Sequence, residues 1–274
     1  MKLAKRLLTA AFAAILTIGV SATALAGELV VTDKVIAEDG VQVTTPIISG
    51  SAKQDTKLTQ LATHQAVATL YQYLPTEGTS VSVRDYLDFT NRSDDPIEEG
   101  FGLVRASAHL INDGFKEAQK LHSSKAEPYH LTVGYKTHSK TDKILSIEQT
   151  ASAYTGGAHA NEAVSTLTVR VKDASSIVLA DLFTKGSDWK TRLEYLIGIQ
   201  QKGSNRILKH IGQSTVDYQT VHITGAEQFC LDTSLEHYGL TVFFNPGEIA
   251  PISAGVQSFF LPLDTISDII NYDL

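Results

Sequence analysis

The stretch Tyr154-Thr155-Gly156-Gly157-Ala158-His159-Ala160-Asn161-Glu162 separates two runs in which apolar and polar residues alternate. Alternation with a period of two is typical of strands that bury one face, so we expect a β-strand on each side. The two adjacent glycines allow positive φ angles or a close approach of the backbone to another group. The sequence therefore predicts a tight and specifically built corner between two strands.

Outward from this corner, short alternating runs occur in pairs, and three longer segments repeat apolar residues at helical spacing. Residues 131–135 and 145–149 predict one antiparallel hairpin around a turn at 138–142, and residues 28–36 and 41–48 predict another. The helical segments are 55–74, 101–118 and 187–210, and a weak alternation at 79–89 indicates a further strand. Helices are few and strands come as antiparallel pairs. We therefore predict an α+β fold with antiparallel sheets, about three amphipathic helices and two packed halves.

The first 26 residues have the pattern of a signal peptide. The segment begins with three basic residues, continues as an uncharged and mostly apolar run to Val20, and ends in the A-x-A cleavage site Ala24-Leu25-Ala26. An uncleaved membrane anchor is the alternative, since about 20 apolar residues can cross a bilayer. We predict cleavage, an extracytoplasmic location that is periplasmic or secreted, and no membrane span after the leader is removed.

Composition narrows the classes of partner. The whole sequence has a formal charge of −7, and the leader holds three basic residues and no acidic one, so residues 27–274 carry −10. This balance argues against nucleic acid or anionic lipid as a partner, and it suits cationic partners or simple solubility. The single cysteine, Cys230, excludes an internal disulfide, and its apolar neighbours predict a buried strand residue.

His159 is the first candidate for chemistry. His159 and Glu162 have a His-x-x-Glu spacing that could bind a metal from one face of a helix, but the preceding glycines disfavour a helix and no third ligand is identifiable. Histidine titrates near neutral pH and could act as a general base, yet no nucleophile motif accompanies it. We therefore predict no metal, no cofactor and no catalytic residue, and we interpret His159 as part of a structural or ligand-binding corner.

Three segments in a fixed order resemble a known family. They are Leu145-Ser146-Ile147 leading into the corner, then Leu179-Ala180-Asp181-Leu182-Phe183, then Phe243-Phe244-Asn245-Pro246-Gly247-Glu248-Ile249-Ala250-Pro251 followed by Ala254-Gly255. The set is similar to the extracytoplasmic module called domain of unknown function 3298, and residues 46–162 resemble its companion 4163. The family pattern usually has tyrosine at Gly247 and glycine at Ala160. We therefore predict a signal peptide at 1–26, a 4163-like half at 27–161 and a 3298-like half at 162–274.

The resemblance implies an α+β fold and a cell-envelope location, but it does not imply catalysis. Related modules occur in the ectodomain of the lysozyme-sensing anti-sigma factor RsiV and beside the separate catalytic domain of the peptidoglycan deacetylase PdaC. We therefore expect an exported, non-enzymatic binding module of the cell envelope that recognises a lysozyme-like protein or peptidoglycan. The alternatives are a cell-wall glycan hydrolase or deacetylase that uses His159, and a structural envelope protein. The residues expected to form the ligand-binding or structural corner are Tyr154, Gly156, Gly157, His159, Glu162, Asn245 and Glu248.

Overall fold

The computed structural model describes residues 28–51, 53–75, 94–121, 127–233 and 238–271. The signal peptide predicted at 1–26 and the weak strand predicted at 79–89 lie outside these residues. Within them, the chain forms two β-sheets and three α-helices, which confirms the predicted α+β class. No helix in these ranges combines the length and the apolar composition needed to cross a bilayer.

The larger sheet has six strands that lie side by side in the order of the sequence. The strands are β1 (Val30–Glu38), β2 (Val41–Ser49), β3 (His130–Lys140), β4 (Ile144–Tyr154), β5 (Asn161–Arg170) and β6 (Ser175–Ser176). All neighbouring pairs are antiparallel except β2 and β3, which run parallel over three residues. A parallel pair needs a long crossover, and the helices between β2 and β3 supply it.

Two helices, α1 (Asp55–Tyr71) and α2 (Pro96–Lys120), form this crossover and cover one face of the sheet. α2 begins at Asp95, whose side chain accepts a hydrogen bond from the Ile97 N–H at 2.9 Å, with Pro96 at the first helical position. Each helix presents its apolar stripe to the strands. The buried side chains of this contact include Ala66, Leu70, Phe101, Val104, Ala108, Ile111, Val43, Leu131 and Val133.

The smaller sheet contains β7 (Gln228–Thr233), β8 (Tyr238–Phe244) and β9 (Gln257–Pro262), all antiparallel. The third helix, α3 (Trp189–His210), buries Leu193 and Ile197 in the core beside this sheet. Cys230 is fully buried in β7, as predicted, and burial raises the pKa of its thiol. A thiol with a raised pKa is a poor nucleophile, so Cys230 is a packing residue.

The two sheets meet where β7 crosses the larger sheet. The Leu231 N–H donates to the Ser146 hydroxyl at 3.0 Å, and the Phe229 N–H donates to the Thr166 hydroxyl at 3.0 Å. Asn161 is the first residue of β5, and β5 pairs with β4 over ten residues of the larger sheet. Strands on both sides of Asn161 belong to the same sheet. The division of the chain into two halves at that residue stays a prediction.

Candidate functional site

The predicted corner is a turn whose shape depends on its two glycines. Gly156 and Gly157 have φ angles of 95° and 113°, which residues other than glycine rarely adopt. A Cβ at Gly156 would lie 3.4 Å from the Tyr129 hydroxyl oxygen. The Tyr154 hydroxyl donates to the Gly157 carbonyl at 3.2 Å, and its ring stacks on His130 with centroids 5.6 Å apart. Backbone conformation and ring stacking therefore hold the corner in place.

Asn245 and Glu248 form a second turn, directly after β8. The Glu248 carboxylate accepts a hydrogen bond from the Asn245 N–H at 2.7 Å, and the Glu248 N–H donates to the Asn245 carbonyl at 3.1 Å. The Asn245 amide oxygen accepts from the Val164 N–H at 2.7 Å, while its Nδ2 donates to the Val164 carbonyl at 3.0 Å. One side chain thus replaces the two hydrogen bonds that a neighbouring strand would make with β5. This pairing joins the second turn to the strand that follows the corner.

The outer edge of β5 is therefore capped by side chains along part of its length. The Gln228 Oε1 accepts hydrogen bonds from the Thr166 N–H at 2.7 Å and from the Thr166 hydroxyl at 3.0 Å. β6 pairs with β5 at Val169 and Arg170 only, in the part of the chain that the structure describes. Nearer the corner, Glu162 is exposed at this edge.

The corner and the second turn border one groove of about 880 Å³. His159 and Glu162 line it from the corner, Asn245 lines it from the second turn, Gln72 lies beside the end of α1, and Ile252 belongs to a short 3-10 turn before β9. The groove is open to solvent and its lining is mixed, with amide, hydroxyl, carboxylate, imidazole and aliphatic groups. Two segments far apart in the sequence thus build one concave surface.

The seven predicted residues divide into two groups. His159, Glu162 and Asn245 line the groove, and among these only Asn245 is engaged in holding the two sheets together. The others shape the two turns beside it and are Tyr154, Gly156, Gly157 and Glu248. The roles proposed for these residues in binding stay predictions.

His159 has an exposed side chain. Among the described residues, no carboxylate or hydroxyl lies within hydrogen-bonding distance of its imidazole. A general base acting on a nucleophile needs such neighbours to hold its proton and its ring in position. Within the same ranges, no three side chains of His, Cys, Asp or Glu are grouped so that they could hold a metal. The groove therefore presents exposed polar groups to solvent, among them the His159 imidazole and the Glu162 carboxylate.

A second polar cluster, which the sequence did not indicate, lies where the two sheets meet. His138 is the bulged residue of β3, in the segment predicted as a turn, and its side chain is only 3% exposed. Its Nε2 lies 2.8 Å from Glu148 Oε2 on β4, and its Nδ1 lies 2.8 Å from Asp232 Oδ1 on β7. The Thr241 hydroxyl donates to the other Asp232 oxygen at 2.7 Å. Three strands thus contribute one charged partner each.

The protonation of this cluster follows from its contacts. Burial lowers the pKa of His138, but the hydrogen bonds that the imidazole donates to Asp232 and Glu148 outweigh burial and raise that pKa above its ordinary value. Burial raises the pKa of Asp232, because Asp232 is an acid, but the contacts with His138 and Thr241 outweigh burial and lower that pKa overall. Each ring nitrogen faces a carboxylate, so the protonated imidazole can donate to both and link β3 and β4 of the larger sheet to β7 of the smaller one. The only sequence signal was a histidine at a break in alternation, which does not reveal its distant partners.

Two family models match consecutive parts of the chain. The model described as Deacetylase PdaC matches residues 40–162, and the model described as Protein of unknown function (DUF3298) matches residues 180–264. The groove takes residues from both matched segments, since His159 lies in the first and Asn245 in the second. No curated protein sequence matches the chain.

Solved structures of the DUF3298 family are similar over most of the chain. A member from Bacteroides fragilis NCTC 9343 has 15% sequence identity and a TM-score of 0.55, over 90% of this chain and 95% of that chain. A family protein from Pseudomonas aeruginosa PAO1 has 15% identity and a TM-score of 0.47, over 91% and 96% of the two chains. At 15% identity, the similarity to the Bacteroides fragilis protein shows a shared fold. Residues 40–162 of this chain are therefore similar to the PdaC family, and residues 180–264 are similar to the DUF3298 family.

Proposed function

We propose that this protein is an exported, non-enzymatic binding module of the cell envelope and that its groove recognises a lysozyme-like protein. The observation that carries the proposal is the convergence of the two turns on one open groove. The turns are held rigidly, by glycine conformation at the corner and by the Asn245 pairing with β5. Rigid walls with exposed polar groups favour binding, because little conformational entropy is lost when a ligand docks.

The charges near the groove support a cationic partner. Glu162 places an exposed carboxylate at the edge of the groove, and no lysine or arginine is among the described residues that line it. The chain without its leader carries −10, which attracts a basic protein and raises its association rate. This attraction is screened over about 8 Å at physiological ionic strength, so binding should weaken as salt is added.

Peptidoglycan is the second candidate ligand, favoured by the neutral part of the lining. Gln72, Asn161 and Ser253 supply amide and hydroxyl groups, which can donate to and accept from the hydroxyls of a sugar. Ile252 is an exposed aliphatic side chain beside them, suited to the apolar face of a sugar ring. A glycan would bind with weak dependence on salt, which separates this candidate from the first.

The two remaining alternatives have less support in the geometry. A hydrolase or deacetylase that uses His159 would require an oriented partner for the imidazole, and none is present among the described residues. That alternative is tested by measuring turnover of cell-wall glycan by the parent protein and by His159→Ala. A structural envelope protein would require a stable complex with other envelope chains. For all of these candidates, the location of this protein in the cell envelope is itself proposed. It rests on the leader pattern and on the similarity to the PdaC and DUF3298 families.

The decisive experiment is calorimetric titration of the protein without its leader with hen-type lysozyme and with soluble peptidoglycan fragments, at low and at physiological salt. We expect saturable binding that Glu162→Gln and Ile252→Ser each weaken about five- to tenfold, a typical loss for one interface contact. Glu127→Gln is the matched control, because it removes an exposed carboxylate outside the groove. Absence of saturable binding to both ligands would overturn the function. Binding that neither groove variant changes would overturn the site.

A further inference from the structure

The outer face of α3 exposes large apolar side chains to solvent. α3 buries Leu193 and Ile197 against the small sheet. On the opposite side, Tyr195 and Ile199 stand one turn apart and expose 64% and 49% of their surface. Ile207 and Ile211 are also exposed, but at 100° per residue they fall on the side of Leu193 and Ile197 and do not belong to this outer face.

The same face is cationic. α3 contains five lysine and arginine side chains and a single glutamate. Lys202, Arg206 and Lys209 are exposed, and at 100° per residue they fall on the side of the helix that carries Tyr195 and Ile199. In the residues that the structure describes, no carboxylate lies within ion-pair distance of these three cations, whereas Arg192 at the start of the helix pairs with Asp268 at 3.1 Å. The charge on this face is therefore uncompensated.

We infer that the outer face of α3 docks on the surface of an anionic lipid bilayer. A helix with basic and apolar side chains on one exposed face lies in the plane of the bilayer interface, with its cations at the headgroups. Tyrosine suits that depth, because its ring is apolar and its hydroxyl is polar. Each lysine or arginine near an anionic surface strengthens binding about fivefold, so the three cations together supply about a hundredfold.

Charge complementarity selects this occupant over a second copy of the chain. A two-fold symmetric contact through this face would oppose the same cations on both copies, and such like-charge contacts are unfavourable. The net charge of −10 argues against anionic lipid only for a uniform surface. Charges farther than about 8 to 10 Å are largely screened at moderate salt, so the local cationic face decides the contact. α3 contributes no residue to the groove, so this surface is independent of the proposed binding site.

The test is sedimentation of the protein without its leader with vesicles of phosphatidylglycerol and phosphatidylethanolamine, in parallel with phosphatidylcholine vesicles. We expect binding to the anionic vesicles, weaker binding as salt is added, and no binding to phosphatidylcholine. The combined variant K202E/R206E/K209E should weaken binding at least a hundredfold, because each change removes one cation and adds one anion. Ile199→Ser keeps the charge and should weaken binding severalfold, since an apolar side chain no longer enters the interface.

The matched control is K53E/K143E/K172E, which changes three exposed lysines outside α3 by the same total charge. It should retain most of the binding, and thermal melting should verify that every variant is folded. Equal losses in the control and in the α3 variant would overturn the proposal, because only net charge would then matter. Failure to bind anionic vesicles would also overturn it. A dimer in the absence of lipid that K202E/R206E/K209E dissociates would instead assign this face to a second copy.

Discussion

His138→Ala is expected to lower the free energy of unfolding by about 3–5 kcal/mol at about pH 6, the usual loss when one partner of a buried ion pair is removed. The side chains of Glu148 and Asp232 are only 18% and 13% exposed, so water can solvate them only in part once the imidazole is gone. The contacts at 2.8 Å on both ring nitrogens are charge-assisted hydrogen bonds, which are stronger than neutral ones. The loss should therefore lie well above that of a surface substitution.

The pH dependence of stability gives this prediction a second readout. The pKa of His138 is higher in the folded protein than its ordinary value of 6.5, so the folded state binds the proton more tightly than the unfolded state. Its contribution is fully present below about pH 6.5 and is lost as the pH rises through the folded-state pKa. The pKa of Asp232 is lowered, so its contribution is present above its ordinary value of 3.8 and is lost as the pH falls. Stability should therefore be greatest between these two limits.

Denaturant unfolding followed by circular dichroism, at several pH values from about 5 to 9, measures the loss at His138 and its dependence on pH. The difference between the parent protein and His138→Ala should shrink above about pH 6.5 as the imidazole of the parent loses its proton. His109→Ala is the control, because His109 lies near Glu38 and Asp113 but is half exposed, and its loss should cost less than about 1 kcal/mol. Two results would refute the reasoning: a loss at His138 as small as that at His109, or a difference between parent and variant that does not change with pH.

Three further predictions concern the corner, the second turn and the thiol. Asn245→Ala should lower the free energy of unfolding by about 1–3 kcal/mol in a denaturant titration, because it leaves two backbone groups of β5 without their partner; a change below about 0.5 kcal/mol would contradict the bridging role. Gly156→Ala and Gly157→Ala should each cost about 1–2 kcal/mol, because a Cβ is strained at their positive φ angles of 95° and 113°; an unchanged thermal melt of either variant would contradict the need for glycine at the corner. Cys230 should react with a thiol reagent only after unfolding, since burial raises its pKa; rapid labelling of the native protein would contradict its burial.

Local periodicity was sufficient to predict much of the fold. The hairpins β1–β2 and β3–β4 follow from alternation, since the period of a strand depends only on which face it buries. The parallel contact between β2 and β3 could not be predicted in this way. It depends on how α1 and α2 pack on the sheet and return the chain to β3, which no local pattern contains.

The candidate site shows the same division. Gly156, Gly157 and His159 could be singled out in the sequence because a pair of glycines indicates a turn with positive φ angles. That their corner and the turn at Asn245 form one groove was not predictable, because Asn245 and Val164 are 81 residues apart and meet through the packing of two sheets. The same holds for His138, whose partner Asp232 is 94 residues away.

The sequence by itself determined the α+β class, the positions of the three helices, the buried cysteine and the sharp corner, because each depends on backbone preferences and apolar periodicity within a short segment. Only the tertiary structure decided which distant polar groups meet. The groove, the cluster of His138 with Glu148 and Asp232, and the exposed cationic face of α3 all depend on which side of each helix or strand the core covers. That choice is made by the packing of both sheets and all three helices together, so the function proposed here rests on contacts that no single stretch of the chain encodes.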